Sequence, residues 1–467
     1  MKGINELENT NILKRQYGLF VATCIVVGFI VGTGIFWRPG RVLYESGGSL
    51  FMGILAWVIG GLVISTCVYM FSIMATQYEK IHGMVDYAEA VVGKKYGYLA
   101  GWFFCIMYQT AGYAIIAWIS ASFTATLAGG RTDANFILVI AVFYMVGMFI
   151  MNYFAPKLPM RLNSITTIAR LIPLILMGFI GVAISLVTPD TSTSVMETSI
   201  ITNLGEGIAT PSFMGAIFAT VFAYNGWQAA VAFNSEVKDS KRNFPIALIC
   251  GFFVVMIIYV LYFIGVVTAG DSYELMRHNQ LGTRNAFANV FGDVASDIIL
   301  VFVIISGLGI LNMCCMGMSR SLYSLARRGV GPMPNKMIQL NPKTGIPQNS
   351  MIVCVCVSFL WMVVQYGNQN LWFGMVNERP FRFELPDFYN LIFFILLIPI
   401  FIGFLISNHK NQQIHWFNRL IAPAIATIGA GFMVYASVIS SPIHAVVYMS
   451  AFVVLTLIGI VFWVFKT

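Results

Sequence analysis

Charge is scarce in this chain: Asp, Glu, Lys and Arg make up 10% of its 467 residues, against 58% hydrophobic residues and a mean hydropathy of +0.80. Soluble domains do not carry that much apolar sequence, so the composition excludes that class and predicts a polytopic membrane protein. Cysteine is sparse and unpatterned. All eight cysteines fall in apolar segments and form no metal-ligand spacing with the five histidines, so they read as small buried hydrophobes. The adjacent Cys314 and Cys315 do not make a CxxC redox pair. Neither a GxxxxGK[ST] phosphate loop nor an HExxH pair occurs, which removes support for ATP-driven pumping and zinc chemistry, and no cofactor is expected. Asn-x-Ser/Thr acceptors are also missing. The polar residues 1–16 ahead of a long apolar run do not have the form of a cleaved leader, so the first helix is expected to stay in place.

What the chain does have is apolar windows of about 20 residues, the length that spans a bilayer. Twelve helices are expected, at 17–42, 50–76, 96–127, 134–154, 162–187, 211–236, 246–270, 294–324, 350–366, 387–407, 418–438 and 442–465. Alternating the loops puts nineteen of the 27 basic residues on the side of both termini and seven opposite, with Arg170 left inside a helix. The positive-inside rule then places both termini in the cytoplasm. This distribution matters more than the net charge of +8, and nucleic acid is not an expected partner; the bilayer is. Between the second and third helices, HGMVDYAEAVVG at 82–93 sets Val85, Ala88, Val91 and Val92 on a helical period with Asp86 and Glu89 opposite, which reads as a short amphipathic helix at the cytoplasmic mouth. Pro245, after Asn243 and Phe244, is expected in the first turn of the seventh helix.

Two of the apolar segments are interrupted. VVGFIVGTGIF at 26–36 carries Gly28, Gly32 and Gly34, and FAYNGW at 222–227 places an Asn-Gly turn dipeptide inside an apolar run. A broken helix in lipid leaves backbone groups unpaired at several kcal/mol each, so it survives only where buried or facing a polar cavity. A matched pair of breaks is the sequence mark of a secondary transporter's substrate site. Each break opens a run of five helices, 17–187 and 211–407. Five is odd, so the two halves cross the membrane in opposite senses as an inverted repeat, with two additional helices over 418–465 in one transmembrane domain.

The chemistry of the breaks follows from the backbone. Uncovered N–H groups and the positive helix end at Gly32, Thr33 and Gly34 suit a carboxylate, while unwound carbonyls over 222–225 suit an ammonium group. Together they describe a zwitterion site, which Phe222, Tyr224 and Trp227 are large enough to cover. Arg170 is either a snorkelling side chain or a fixed cation tethering the broken ends in place of a sodium ion. Ser306 and Asn312 read equally as helix–helix hydrogen bonders and substrate contacts. No acidic residue stands out within a span to pair with a cationic side chain.

VGTGIF at 31–36 followed by Pro39-Gly40, HGMVDYAEAVVG at 82–93, ITTIARLIP at 165–173, FAYNGW at 222–227 and SRSLYSLARRGVGP at 319–332 resemble the amino acid-polyamine-organocation superfamily, within it the L-type amino acid transporters of the bacterial serine/threonine-exchanger kind. The last four helices match only in hydropathy. The resemblance implies a LeuT-type fold with 5+5 inverted repeats and broken helices one and six. It also implies substrate carboxylate at Gly32, Thr33 and Gly34, substrate amino group at Phe222, Ala223 and Asn225, and sodium-independent exchange. Two positions depart from the group: Ala169-Arg170 stands where Gly-Lys or Ala-Lys is common, and Thr33 where serine or alanine is usual. Guanidinium does not readily give up its proton, which disfavours proton coupling through this residue. Animal L-type members join a glycoprotein through a cysteine after the third helix; residues 127–135 contain none, so no disulfide-linked heavy chain is expected. The expected function is exchange of small to medium neutral amino acids by alternating access in the cytoplasmic membrane. The alternatives are a proton-coupled symporter or uniporter, and a receptor that does not transport.

Overall fold

The computed structural model describes residues 17–78, 83–131, 133–155, 166, 170–187, 211–231, 237–342, 344–370, 375–376, 379–380 and 382–465. Expectations that fall on Lys157, Arg161 or Glu236 lie outside the described residues. Apart from one two-residue antiparallel strand pair, Met375–Val376 with Arg379–Pro380, the regular structure among the described residues is helical. The helices are α1 Leu19–Ile30, α2 Gly34–Trp37, α3 Pro39–Glu45, α4 Leu50–Gln77, α5 Met84–Val91, α6 Lys94–Leu127, α7 Ala134–Phe154, α8 Arg170–Gly181 and α9 Pro211–Tyr224. They continue as α10 Trp227–Ala230, α11 Ser240–Ala269, α12 Ser272–Arg277, α13 Asn279–Phe291, α14 Asp293–Arg327, α15 Gln348–Gln369, α16 Leu385–Asn408, α17 Phe417–Ser440 and α18 Pro442–Phe465. A single turn, Pro334–Met337, lies between α14 and α15.

Ten spans among the described residues are long and apolar enough to cross a membrane, counting α1 with α2 as one. The expected fifth and sixth helices are described only in part: helix α8 continues without a gap through Val182–Val187, and the sixth comprises Pro211–Tyr224 and, after the turn at Asn225 and Gly226, Trp227–Ala230. Burial sorts the spans into centre and rim. The apolar window of α6 is 83% buried, whereas those of α7 and α18 are 17% buried, so α6 is the axis of the bundle and α7 and α18 present their faces to lipid. Side chains cap several helix starts: Ser49 accepts from Met52 N–H at 3.2 Å at the start of α4, and Asp133 accepts from Phe136 N–H at 3.0 Å ahead of α7.

Helices α8 and α11 approach through glycine. A Cβ on Gly265 would sit 2.2 Å from the Met177 carbonyl oxygen, and one on Gly181 would sit 2.9 Å from Gly265 Cα. Small residues at such a crossing let backbones touch where lipid gives helices no hydrophobic reason to associate. Near the start of the chain, Tyr17 pairs with Val237 as a parallel bridge, and Lys238 N–H donates to Tyr17 O at 2.8 Å. The chain entering α1 is thereby tied to the segment entering α11. Asp239, held at φ 47°, starts α11 at Ser240, so Pro245 falls in the second turn and not the first.

The short loop helix forms as α5, but its polar face differs from the expected one. Asp86 is buried, because Arg328 at the end of α14 bonds it, along with Glu89 at 3.1 Å and the Ser324 hydroxyl at 2.5 Å. An ion pair thus fastens α5 to α14. Tyr87, beside Asp86, has its hydroxyl held above the usual range by burial.

A test of the glycine crossing follows. Gly265→Val should lower the thermal-unfolding midpoint of detergent-solubilised protein by an amount corresponding to about 1–3 kcal/mol. Gly147→Ala, where an added Cβ meets nothing within 4 Å, should leave it unchanged or raise it.

Candidate functional site

The site is built where the two interrupted helices cross. Helix α1 ends because Val31 turns extended, at φ −69° and ψ 110°, and the chain resumes as helix at Gly34. Helix α9 ends at Tyr224, and Gly226 adopts φ 115°, a conformation only glycine takes readily, before α10 begins. The breaks are in contact. A Cβ on Gly34 would sit 2.9 Å from Ala223 Cα and 3.1 Å from Phe222 O, and one on Gly226 would sit 2.1 Å from Phe29 O. Glycine is therefore required at 34 by contact, and at 226 by contact as well as by torsion.

The last carbonyls of α1 have no continuing helix to accept from, and the negative end of the helix points into the bundle. Arg170, fully buried on α8, answers both needs: Nη1 donates to Gly28 O at 2.5 Å and to Val31 O at 3.3 Å. Its other amine reaches Thr166 Oγ1 at 3.3 Å. Tyr259 on α11 places its hydroxyl 3.1 Å from both Ile30 O and Ala223 O, one oxygen from each break. Helix α14 gives way to this group: a Cβ on Gly309 would sit 2.8 Å from Arg170 Nη2, and one on Gly307 would sit 2.8 Å from the Thr33 methyl.

On the resuming side, Thr33 O accepts from Phe36 and Trp37, while the N–H groups of Thr33, Gly34 and Ile35 have no backbone acceptor among the described residues. All three residues are buried. Buried N–H groups at a helix start form an anion site. Asn225 and Gly226 are half-buried, although residues 213–224, Trp227 and Gln228 are buried on either side. Accessible space therefore reaches the second break at Asn225 and Gly226, and Ala229 beyond them is exposed. Asn225 Nδ2 donates to Asn390 Oδ1 on α16 at 2.9 Å, Gly226 N–H donates to Gln228 Oε1 at 2.9 Å, and Gln228 Nε2 donates to the Tyr108 hydroxyl at 3.2 Å. Tyr108 leaves a π-helical turn at Phe104–Gln109 of α6 and packs on Tyr389 and Phe393.

Beyond the breaks, α2 and α9 are covered by charge. Arg38 is buried, with its guanidinium 5.0 Å from the Trp37 ring centre and 5.1 Å from that of Phe222, and donates to Asp387 on α16 at 3.0 Å. Arg41 reaches Asp387 at 3.5 Å and Glu45 at 3.1 Å. Burial holds the Glu45 carboxyl above its usual range against the opposing pull of Arg41. Asn279 of α13 seals this end, accepting from Gly40 N–H at 2.8 Å and donating to Phe36 O at 3.1 Å.

Set against the sequence, Gly32, Thr33, Gly34, Phe222, Ala223, Asn225 and Arg170 all lie at this crossing, although Ala223 O is already shared with Tyr259. Tyr224 is placed differently. Its ring is enclosed by Trp57, Phe252 and Tyr259 and its hydroxyl donates to Trp57 O at 3.0 Å, so it braces α9 against α4. Trp227 is buried against Phe71 and Phe393. Asn312 accepts from Asn152 on α7 at 2.8 Å, a helix–helix bond, and the buried Ser306 hydroxyl has no partner among the described residues. Asp387, Asn390, Tyr259, Gln228 and Tyr108 were not anticipated. Asp387 stands at the edge of an apolar window, and an isolated Asn or Gln in such windows is the one available signal for Asn390 and Gln228.

Solved structures share the fold. The fold resembles a nucleobase-cation-symport-1 family transporter in a closed conformation with bromovinylhydantoin bound (TM-score 0.53, 16% identity, 96% of this chain and 95% of that one). It also resembles a Na+-coupled sialic acid symporter in a substrate-bound outward-open state (TM-score 0.56, 13% identity, 92% and 90%). Both are transporters of the LeuT fold. A model of the amino acid permease family matches residues 17–463, and the chain belongs to that family, within the amino acid-polyamine-organocation superfamily. Among its relatives are the serine/threonine exchanger SteT of Bacillus subtilis (28% identical, 76% of this chain and 78% of that one) and the b(0,+)-type amino acid transporter 1 of Mus musculus (24%, 98% and 89%). The glutamate/serine transporter AimA of Bacillus subtilis is 26% identical over 76% of this chain and 67% of its own. The protein is thus a multi-pass membrane transporter of amino acids and not an enzyme.

Because the added Cβ meets backbone and not a flexible side chain, Gly34→Leu should drive α2 off α9 and weaken binding of a labelled amino acid by roughly a hundredfold or more. Scintillation-proximity binding on purified protein measures this, and wild-type affinity in that variant would remove the site from Gly34.

Proposed function

We propose that the protein exchanges small to medium neutral amino acids across the cytoplasmic membrane by sodium-independent alternating access, with both termini cytoplasmic. The observation that carries this reading is Arg170: its guanidinium occupies Gly28 O and Val31 O, the carbonyls at the negative end of the broken first helix. A permanently attached cation there supplies the charge that a co-transported sodium ion would otherwise bring, and guanidinium keeps its proton. In this reading the substrate carboxylate docks on the N–H groups at Gly32, Thr33 and Gly34, and its ammonium group on the carbonyls of Phe222, Ala223 and Asn225. Tyr224 and Trp227 support the cavity wall. The twelve helices are arranged as two inverted halves, 17–187 and 211–407, with 418–465 outside them. Arg38, bridging the Trp37 and Phe222 rings to Asp387, closes the outer end. Serine/threonine exchange by SteT supports a neutral zwitterion as cargo.

Proteoliposomes loaded with unlabelled serine should take up labelled serine at a rate indifferent to sodium and proton gradients, while empty vesicles take up little. Equal uptake into empty vesicles would sink exchange in favour of a uniporter, a proton-dependent signal would favour symport, and binding without turnover would favour a receptor. Arg170→Ala should slow exchange by roughly tenfold or more while changing substrate affinity less, since the cation holds helix ends and not substrate. Unchanged exchange kinetics would leave Arg170 with no coupling role.

A further inference from the structure

We propose that Asn390 on α16 is a specificity-determining residue: paired with Asn225, it forms the end of the pocket that receives the substrate side chain and selects neutral side chains that hydrogen-bond, namely hydroxyls and carboxamides. The inference rests on the reading of the two breaks as the substrate site and adds which part of the substrate is inspected, and by what.

Asn390 is 1% exposed in a helix whose neighbouring positions Tyr389, Leu391, Ile392 and Phe393 are all buried. A primary amide in such surroundings is costly unless bonded. The bond it has is to Asn225, one of the two half-buried residues that border the accessible space at the second break. Two carboxamides joined through one N–H leave one carbonyl oxygen and one NH2 group without a partner in either orientation of the pair. Neither amide has another partner among the described residues. That space therefore meets an acceptor and a donor side by side.

The nearby groups that could change this chemistry are already engaged. Gln228 bonds Gly226 N–H and the Tyr108 hydroxyl. Asp387, one turn earlier on α16, is neutralised by Arg38 at 3.0 Å. This end of the pocket thus offers no uncompensated charge to a cationic or anionic side chain. A carboxamide can bond both free groups and a hydroxyl can bond either, whereas an aliphatic side chain of the same size strands both in a water-poor site.

The test is competition against labelled serine uptake in proteoliposomes by unlabelled serine, asparagine, valine and lysine. In the wild type, serine and asparagine should compete roughly tenfold or more better than valine, and lysine poorly. Asn390→Leu should bring valine to within about threefold of serine without abolishing uptake, a change that a merely structural bond would not produce. Asn390→Asp, nearly isosteric and still able to accept from Asn225, should admit lysine; it decides the matter should the leucine variant not fold. A wild-type rank order retained in either transporting variant, or valine equal to serine in the wild type, overturns the role of Asn390 and leaves the transport site standing. Absence of any amino acid uptake by the wild type overturns both.

Discussion

The carbonyl oxygens at the end of α1 have nowhere to go but into the protein, and the rest of the centre is arranged around that fact. In hydrocarbon an unpaired carbonyl is expensive, and the end of a helix presents several with a shared negative potential. Arg170 supplies a charge of the right sign and two donors to Gly28 and Val31, Tyr259 supplies a third to Ile30, and the glycine of the second break presses against Phe29. Each solution constrains a different helix. Arg170 fixes α8, Tyr259 fixes α11, and Gly307 and Gly309 keep α14 narrow where Thr33 and the guanidinium pass. The resuming side of the break is free of such demands, and the N–H groups of Thr33, Gly34 and Ile35 remain without backbone acceptors among the described residues.

Helix α16 stands in the same relation to the other end of the site. Asp387, Asn390 and Phe393 recur every three residues on it and meet, in order, Arg38 after α2, Asn225 in the second break, and Trp227 at the start of α10. One helix face therefore touches the charged cover beyond α2, the turn and helix α10. Family membership is consistent with a centre of this kind, but it comes from sequence over 17–463, whereas the solved structures at 16% and 13% identity speak to fold alone.

The breaks were legible because glycine and an Asn-Gly pair are conspicuous in apolar sequence, and Arg170 because a cation there is rare. Their partners were not, for a physical reason: Arg38 and Asp387 are 349 positions apart, Arg170 and Gly28 are 142 apart, and no local pattern records which distant groups satisfy each other. Asp86 shows the same blindness in reverse. Periodicity placed it on a solvated face, yet a partner 242 residues away draws it under Arg328. Tyr224 and Trp227 were judged by size, and size does not say in which direction a ring is packed.

The bond between Lys238 N–H and Tyr17 O has a mechanical meaning. It joins the approach to the first interrupted helix to the stretch that follows the second, at the same end of the molecule. Any swing of α1 at that end either carries the entry of α11 along or breaks this bond.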